Sequence, residues 1–230
     1  TATEKIPEGF GTPEMGPITT GLGEIYQYTL EVKPEFKNQY TVTDLRTIQD
    51  WVVKRQLSGI KGVVEINTWG GYLKQYEIAI NPASLKAMNI STTDVFTSLE
   101  KNNSIAGGSY IEKTNQSYFI RGEGKVNSAQ DIENIVVKND SGLPIYIKDI
   151  AKVQFGHANR FGAITGNGEG EKVLGQVMML KGGNSKQVIE DVKHRVTEIE
   201  KTLPEGIYIN GFLERSELVG KTTFTVAENL

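Results

Sequence analysis

The stretch Val173-Leu-Gly-Gln-Val-Met-Met-Leu180, continuing through Ser185-Lys-Gln-Val-Ile-Glu-Asp-Val-Lys-His-Arg-Val-Thr-Glu-Ile-Glu-Lys-Thr-Leu203 to Ile207-Tyr-Ile-Asn-Gly-Phe-Leu213, decides the fold. Its first run is apolar and reads as a core strand. In the second run Val188, Ile189, Val192, Val196 and Ile199 fall on one stripe of a helix, with Asn184 or Ser185 as its cap. The third run is again a strand, so the whole is a β-α-β unit. A second such unit lies far upstream. There Ile25-Tyr-Gln-Tyr-Thr-Leu-Glu-Val32 alternates as a strand, and Pro34 and Asn38 mark a turn. Thr43 or Asp44 then caps a helix carrying Leu45, Ile48, Val52, Val53 and Leu57, which Gly59 ends before the strand Val63-Val-Glu-Ile66. Two β-α-β halves of similar size predict an α+β fold, a split sandwich of the ferredoxin-like kind with helices on one face of an antiparallel sheet.

The residues between the halves have a different texture. Residues 72–80 alternate as a strand, Pro82 starts a short helix, and Ser91-Thr-Thr-Asp94 caps another. Gly107-Gly108 is expected to open a hairpin that turns at Thr114-Asn115. A helical turn at Asp131-Ile-Glu-Asn134 precedes two further paired strands, residues 135–138 and 143–147. Residues 71–159 therefore read as a compact α+β insertion, with Gly70-Gly71 and Gly156 as the places where the chain crosses over.

Both ends look unfinished. Glu4-Lys-Ile-Pro-Glu-Gly-Phe10 repeats the pattern Glu200-Lys-Thr-Leu-Pro-Glu-Gly-Ile207, whose job is to close a helix and open a strand. At the other end a helical stretch from Ser216 is still running at Leu230. The expectation is a soluble piece of a longer polypeptide. Its 230 residues suffice for a substantial core. A net charge of −3, with basic residues scattered among acids, argues against a nucleic-acid surface. There is no cysteine, which excludes disulfides and thiolate metal sites. No apolar run approaches the ~20 residues that span a bilayer.

Signatures of catalysis and of cofactor binding are lacking. Gly166-Asn-Gly-Glu-Gly170 reads as a hairpin turn, and Gly182-Gly-Asn-Ser-Lys186 as a capping loop that lacks the Walker order. His157 and His194 have no ligand-spaced partners, and no serine sits in a nucleophile elbow. Met178-Met179 suggests soft-metal binding but reads better as core packing, since neighbouring strand residues face opposite sides. Glu24 and Glu65 are the two candidate ligands, being carboxylates at the edges of otherwise apolar strands.

Three runs carry a resemblance: Gly21-Leu-Gly-Glu-Ile-Tyr-Gln-Tyr28, Asp44-Leu-Arg-Thr-Ile-Gln-Asp-Trp51 and Gly62-Val-Val-Glu-Ile-Asn-Thr-Trp-Gly-Gly71. Together with Gly166–Gly170, Arg215-Ser216 and the terminal Glu228-Asn-Leu230, they resemble the heavy-metal-efflux branch of the resistance-nodulation-division (RND) transporters. The resemblance implies part of the first large periplasmic loop of a homotrimeric, proton-driven pump of the bacterial inner membrane. Residues 1–20 would be the tail of a preceding porter subdomain. Residues 21–70 and 160–230 would form the second porter subdomain, ending before a transmembrane helix. Residues 71–159 would be an inserted docking subdomain facing the outer-membrane channel, with the hairpin of residues 107–122 in trimer contact.

The implied substrate is a metal cation, and the implied partners are the chain's own subunits, a periplasmic adaptor and the outer-membrane channel. The proton relay would lie outside this chain. Glu24 and Glu65 become accessory ligands for a harder cation such as zinc or cobalt. Two carboxylates alone make an incomplete site, so this piece is expected to bind metal weakly. One rival reading is a free-standing ferredoxin-like ligand-binding or regulatory module. Another is a small hydrolase of the acylphosphatase kind, but Lys33-Pro-Glu-Phe-Lys37 supplies neither arginine nor a glycine-rich cradle.

Overall fold

A computed structural model describes residues 23–113, 116–140 and 142–215, together with Gly16. The helix expected from Ser216, the helix-closing pattern at residues 4–10 and the turn at Thr114-Asn115 lie outside the described residues. The chain divides into two compact units: unit one is built from residues up to Leu73 and from Asn159 onward, and unit two from Lys74–Ala158.

Along the chain, strand β1 (Glu24–Val32) leads to helix α1 (Val42–Ile48), one π turn (Gln49–Val53), helix α2 (Lys54–Leu57) and strand β2 (Val63–Trp69). Thr41 is the N-cap of α1. Its side chain accepts from the Asp44 N–H while Asp44, at the third helical position, accepts from the Thr41 N–H at 2.9 Å. The helix thus starts at Val42, ahead of the expected Thr43 or Asp44 cap, because a carboxylate three residues after a threonine satisfies two orphan amides reciprocally.

Unit two contains β3 (Lys74–Ile80), α3 (Pro82–Ala87), α4 (Thr92–Lys101), β4 (Ile105–Lys113), β5 (Gln116–Glu123), α5 (Ala129–Glu133), β6 (Val136–Asp140), β7 (Leu143–Tyr146), α6 (Ile147–Ile150) and β8 (Ala151–His157). The strands pair as three antiparallel ribbons, β3 with β8, β4 with β5 and β6 with β7. Helices α4 and α5 begin in capping boxes on Ser91 and Ser128. A core of Leu85, Val95, Ile132, Ile147, Ile150 and their neighbours lies among these elements. Two expectations fail here. Gly107 and Gly108 lie inside β4, at an irregularity in its register with β5, and do not open the hairpin. Gly156 is no crossing point: it lies within β8 opposite Gln75, where any side chain would collide with Glu77.

The chain returns through β9 (Ile164–Thr165), β10 (Glu171–Met179), α7 (Ser185–Glu200) and β11 (Ile207–Glu214). The turn between β9 and β10 is the expected glycine-rich hairpin, and Asn184 caps α7 by accepting from the Gln187 N–H at 3.2 Å. In unit one the four long strands stand in the order β11-β1-β10-β2, every neighbouring pair antiparallel. The buried stripes of α1, α2 and α7 pack with one face of this sheet, joining Leu45, Val53, Leu57, Val192 and Ile199 to Tyr28, Leu30, Ile66 and Val177. The opposite face carries no helix of this unit among the described residues.

Candidate functional site

The open face of the unit-one sheet takes its chemistry from the register of its strands. Glu24 and Glu65 both pair with Met178, one from each side, so Glu24, Met178 and Glu65 form one row across β1, β10 and β2. The next row is Gln27, Gln176 and Asn67, and the one after it Thr29, Leu174 and Trp69. With strands about 4.8 Å apart, the two glutamate Cα atoms of the first row are about 10 Å apart, with Met178 midway.

Simple alternation would not produce this row. It would place Glu24 on the same face as Tyr26, Tyr28 and Leu30, in the core. The register shifts by one residue at Ile25, and the extra residue carries Ile25 into the core alongside Tyr26 while Glu24 turns to the open face. Val64 is the extra residue on β2: Met179 pairs with Val63 on the core side, and Met178 pairs with Glu65 on the open side. Two bulges at one level of the sheet therefore align two carboxylates with one thioether. Met178 is only 7% exposed, whereas both glutamates remain partly accessible. Gln27 Nε2 donates to Glu24 Oε2 at 3.4 Å.

A compact charge cluster closes the other end of the face. Lys172 Nζ donates to Glu31 Oε2 at 2.6 Å and to Glu169 Oε2 at 2.7 Å, and Thr29 Oγ1 donates to Glu31 Oε1 at 2.8 Å. Burial works against the charge on Lys172, but the hydrogen bonds and charges of Glu169 and Glu31 outweigh it and hold the ammonium above its ordinary value. The same contact holds the Glu169 carboxyl below its ordinary range. Lys172 thereby ties the β9–β10 hairpin turn to β1. A cleft of about 260 Å³ lies beside it, bordered by Thr29, Leu174, Asn210, Phe212 and the hairpin.

On the core side, Gln49 sits where the stripe of the first helix would call for an apolar residue. It is fully buried, accepts a hydrogen bond from Tyr28 Oη at 3.0 Å and donates to Thr68 Oγ1 at 3.4 Å. The π turn at Gln49–Val53 adds one residue to the local helical repeat and changes which positions face the sheet.

The sequence-predicted residues are thus partly brought together. Glu24 and Glu65 share a row, and Met178, read as core, stands between them on the open face while Met179 is the core residue. His194 is exposed on α7, with Glu198 3.9 Å away, and His157 ends β8 in unit two, so neither joins the row. No group of three or more His, Asp or Glu side chains close enough to hold a metal exists among the described residues. The row by itself offers at most two carboxylates and a thioether. Sequence reasoning missed the Lys172 cluster and the Gln49 network; an alternating strand with Lys172 beside Glu171 gave no sign of the cross-strand partner.

Comparison with known proteins agrees with this architecture. The family model described as the AcrB/AcrD/AcrF family matches residues 1–230. The cobalt-zinc-cadmium resistance protein CzcA of Cupriavidus metallidurans is 46% identical over 233 residues, covering 100% of this chain and 22% of that protein. The protein HelA of Legionella pneumophila is 44% identical over 99% of this chain and 22% of its own length. The cation efflux system protein CusA of Escherichia coli is 37% identical over 94% of this chain and 20% of its own length. An X-ray crystal structure of a heavy metal efflux pump superposes with a TM-score of 0.80 at 29% identity, covering 98% of this chain and 22% of that one. The chain belongs to the AcrB/AcrD/AcrF family, in its heavy-metal-efflux RND branch. It spans about a fifth of the length of these relatives. No described helix is long and apolar enough to cross a membrane.

Proposed function

We propose that this chain is a periplasm-facing portion of a proton-driven pump of the bacterial inner membrane that exports metal cations. Its role is to form a wall of the transport path and a docking surface for the assembly, not to catalyse a reaction. The observation that carries the reading is the 46% identity to a cobalt-zinc-cadmium resistance protein along the whole chain. In the same reading unit one is the second porter subdomain, a split ferredoxin-like sandwich. Its sheet order, fourth strand, first, third, second, all antiparallel, is the support for that assignment. Unit two is the inserted docking subdomain. The partners are two further copies of the chain's parent, a periplasmic adaptor and an outer-membrane channel.

Within this reading Glu24 and Glu65 are accessory ligands on the open face, and the row they share with Met178 is what supports the assignment. Carboxylate oxygens suit harder divalent ions and the thioether softer ones. The mixed set fits an exporter of zinc, cobalt or cadmium, the ions for which the CzcA relative is named. Tetrahedral zinc wants four ligands at about 2.0–2.3 Å, so the remaining ones must come from elsewhere in the pump.

The test is resistance in cells carrying the full-length transporter. The double variant Glu24→Gln/Glu65→Gln is expected to lower tolerance of zinc or cobalt several-fold at unchanged expression. Wild-type tolerance in the double variant would remove both residues as ligands. Zinc titration of the 230-residue chain separates this reading from a free-standing metal-binding module. Weak binding fits an incomplete site, and tight stoichiometric binding fits the module.

A further inference from the structure

We propose that Arg160 is a clasp that binds the two crossing segments of unit one into a single rigid edge. The outgoing crossing leaves β2 through Gly70, Gly71 and Tyr72, and the returning one runs from Arg160 into β10 at Glu171. The guanidinium of Arg160 lies over the Tyr72 ring, 3.8 Å from its centroid, and its Nη2 donates to Tyr72 Oη at 2.9 Å. Its Nη1 donates to Glu171 Oε1. That same Glu171 oxygen accepts the Gly71 N–H at 2.9 Å. One arginine therefore holds a residue of the outgoing segment and a residue of the returning one, and the carboxylate it orients holds the outgoing backbone a second time.

A parallel contact fixes the outgoing segment to the helical layer. Arg46 Nη1 donates to the Gly70 carbonyl at 2.7 Å, while its Nε is held by Asp50 at 2.7 Å. The backbone has no slack at this point. Gly70 and Gly71 have φ of +73° and +67°, and a side chain on Gly70 would collide with the Lys172 carbonyl. Lysine could not replace the clasp, because a single compact ammonium cannot lie over the ring and also reach Tyr72 Oη and Glu171 Oε1 from separate nitrogens, as the five-donor guanidinium does. The clasp joins the end of β2 to the start of β10. A pull on either crossing is thus delivered to the two strands that carry Glu65 and Met178. That last consequence rests on the proposed transport role; the clasp itself does not.

The experiment measures hydrogen exchange and limited chymotrypsin cleavage on the 230-residue chain and its variants. In Arg160→Ala, exchange at the Gly71 amide and cleavage after the fully exposed Phe161 are expected to rise at least tenfold. Amides further along β10, such as Val177, should exchange at the wild-type rate. Arg160→Lys should behave nearly as Arg160→Ala does, while Glu171→Gln, which keeps an acceptor for Gly71, should lose less protection at that amide. Unchanged exchange and cleavage in Arg160→Ala would overturn the clasp. So would a uniform rise across unit one, which marks general destabilisation, or wild-type behaviour of Arg160→Lys. None of these readouts involves metal or transport, so they test the clasp independently of the proposed function.

Discussion

Replacing Gln49 with leucine should destabilise unit one by about 1–3 kcal/mol, although the substitution makes a buried position more apolar. The two side chains are close in volume, so no cavity term enters. The cost arises at Tyr28, which is 0% exposed and whose hydroxyl donates to Gln49 Oε1 at 3.0 Å. Leucine leaves that O–H buried without a partner, whereas Thr68, at the long end of a 3.4 Å bond and only half-buried, can turn to water. Tyr28→Phe should cost a similar amount by stranding the buried Gln49 carbonyl oxygen. In the double variant both polar groups are gone, and the loss should be clearly smaller than the sum of the singles. Both tryptophans, Trp51 and Trp69, lie in unit one, so fluorescence during urea unfolding reports this unit alone. With a slope of about 2 kcal/mol per molar urea, a loss of about 2 kcal/mol lowers the midpoint by about 1 M. An unshifted midpoint in Gln49→Leu, or strict additivity in the double variant, would show that the network carries no coupling energy and refute the argument.

Gly70→Ala should cost about 3 kcal/mol or more, the sum of a left-handed backbone penalty of about 1–2 kcal/mol and the strain of a clash with the Lys172 carbonyl. Gly168→Ala, at φ +71° in open space, should cost only the backbone part, and equal midpoints for the two in the same urea assay would contradict the clash. In unit two the capping carboxylates respond to acid. Hydrogen bonds from the Ser91 side chain and backbone hold Asp94 below its ordinary 3.8, and the Asn127 N–H and Ser128 do the same for Asp131. A depressed carboxylate contributes stability above the unfolded value and loses it as pH falls through the folded one. Exchange protection at the Ser91 and Ser128 amides should therefore fade below about pH 3.8. Asp94→Asn and Asp131→Asn should flatten that response, and protection persisting undiminished at pH 2 would count against it.

The sequence was most readable where one periodicity holds without interruption. The apolar stripe Val188, Ile189, Val192, Val196, Ile199 is buried on α7 as its spacing requires, and the asparagine before it caps the helix. The β9–β10 turn was legible from its composition, with Asn167, Gly168 and Gly170 all at positive φ. What escaped was set by single extra residues. A bulge leaves no mark in a run such as Gly-Glu-Ile-Tyr-Gln-Tyr, because isoleucine and tyrosine fit a strand on either face. Yet the extra residue at Ile25 decides whether Glu24 points into the core or away from it. The π turn is hidden for the same reason: Gln49 is a polar residue at an apolar stripe position, and nothing local shows that Tyr28, 21 residues earlier, reaches it. Gly156 misled in the opposite sense. A glycine suggests a break in the chain, but here it makes room within a ladder for the side chain of Glu77.

On the proposed reading, in which Glu24 and Glu65 are accessory ligands, the placement of Glu24, Met178 and Glu65 bears on how a transport wall can hold a cation without trapping it. A complete site of three or four carboxylate or imidazole ligands on one rigid sheet would bind tightly whatever the rest of the pump did. Two carboxylates and one thioether, spread across about 10 Å of sheet, leave the coordination sphere open on the side facing away from the strands. Affinity then depends on what the opposing surface supplies. A wall of this kind changes its hold on the ion by several ligands at once when it moves relative to that surface, with no rearrangement inside the sheet. The bulges at Ile25 and Val64 make this economical, because they turn two carboxylates outward while returning Ile25, Tyr26, Val63 and Met179 to the core. On the proposed reading the rigidity of unit one is therefore part of its function. Its ligands stay in register because β1, β10 and β2 are locked by packing on one face, and release is left to the movement of the wall as a body.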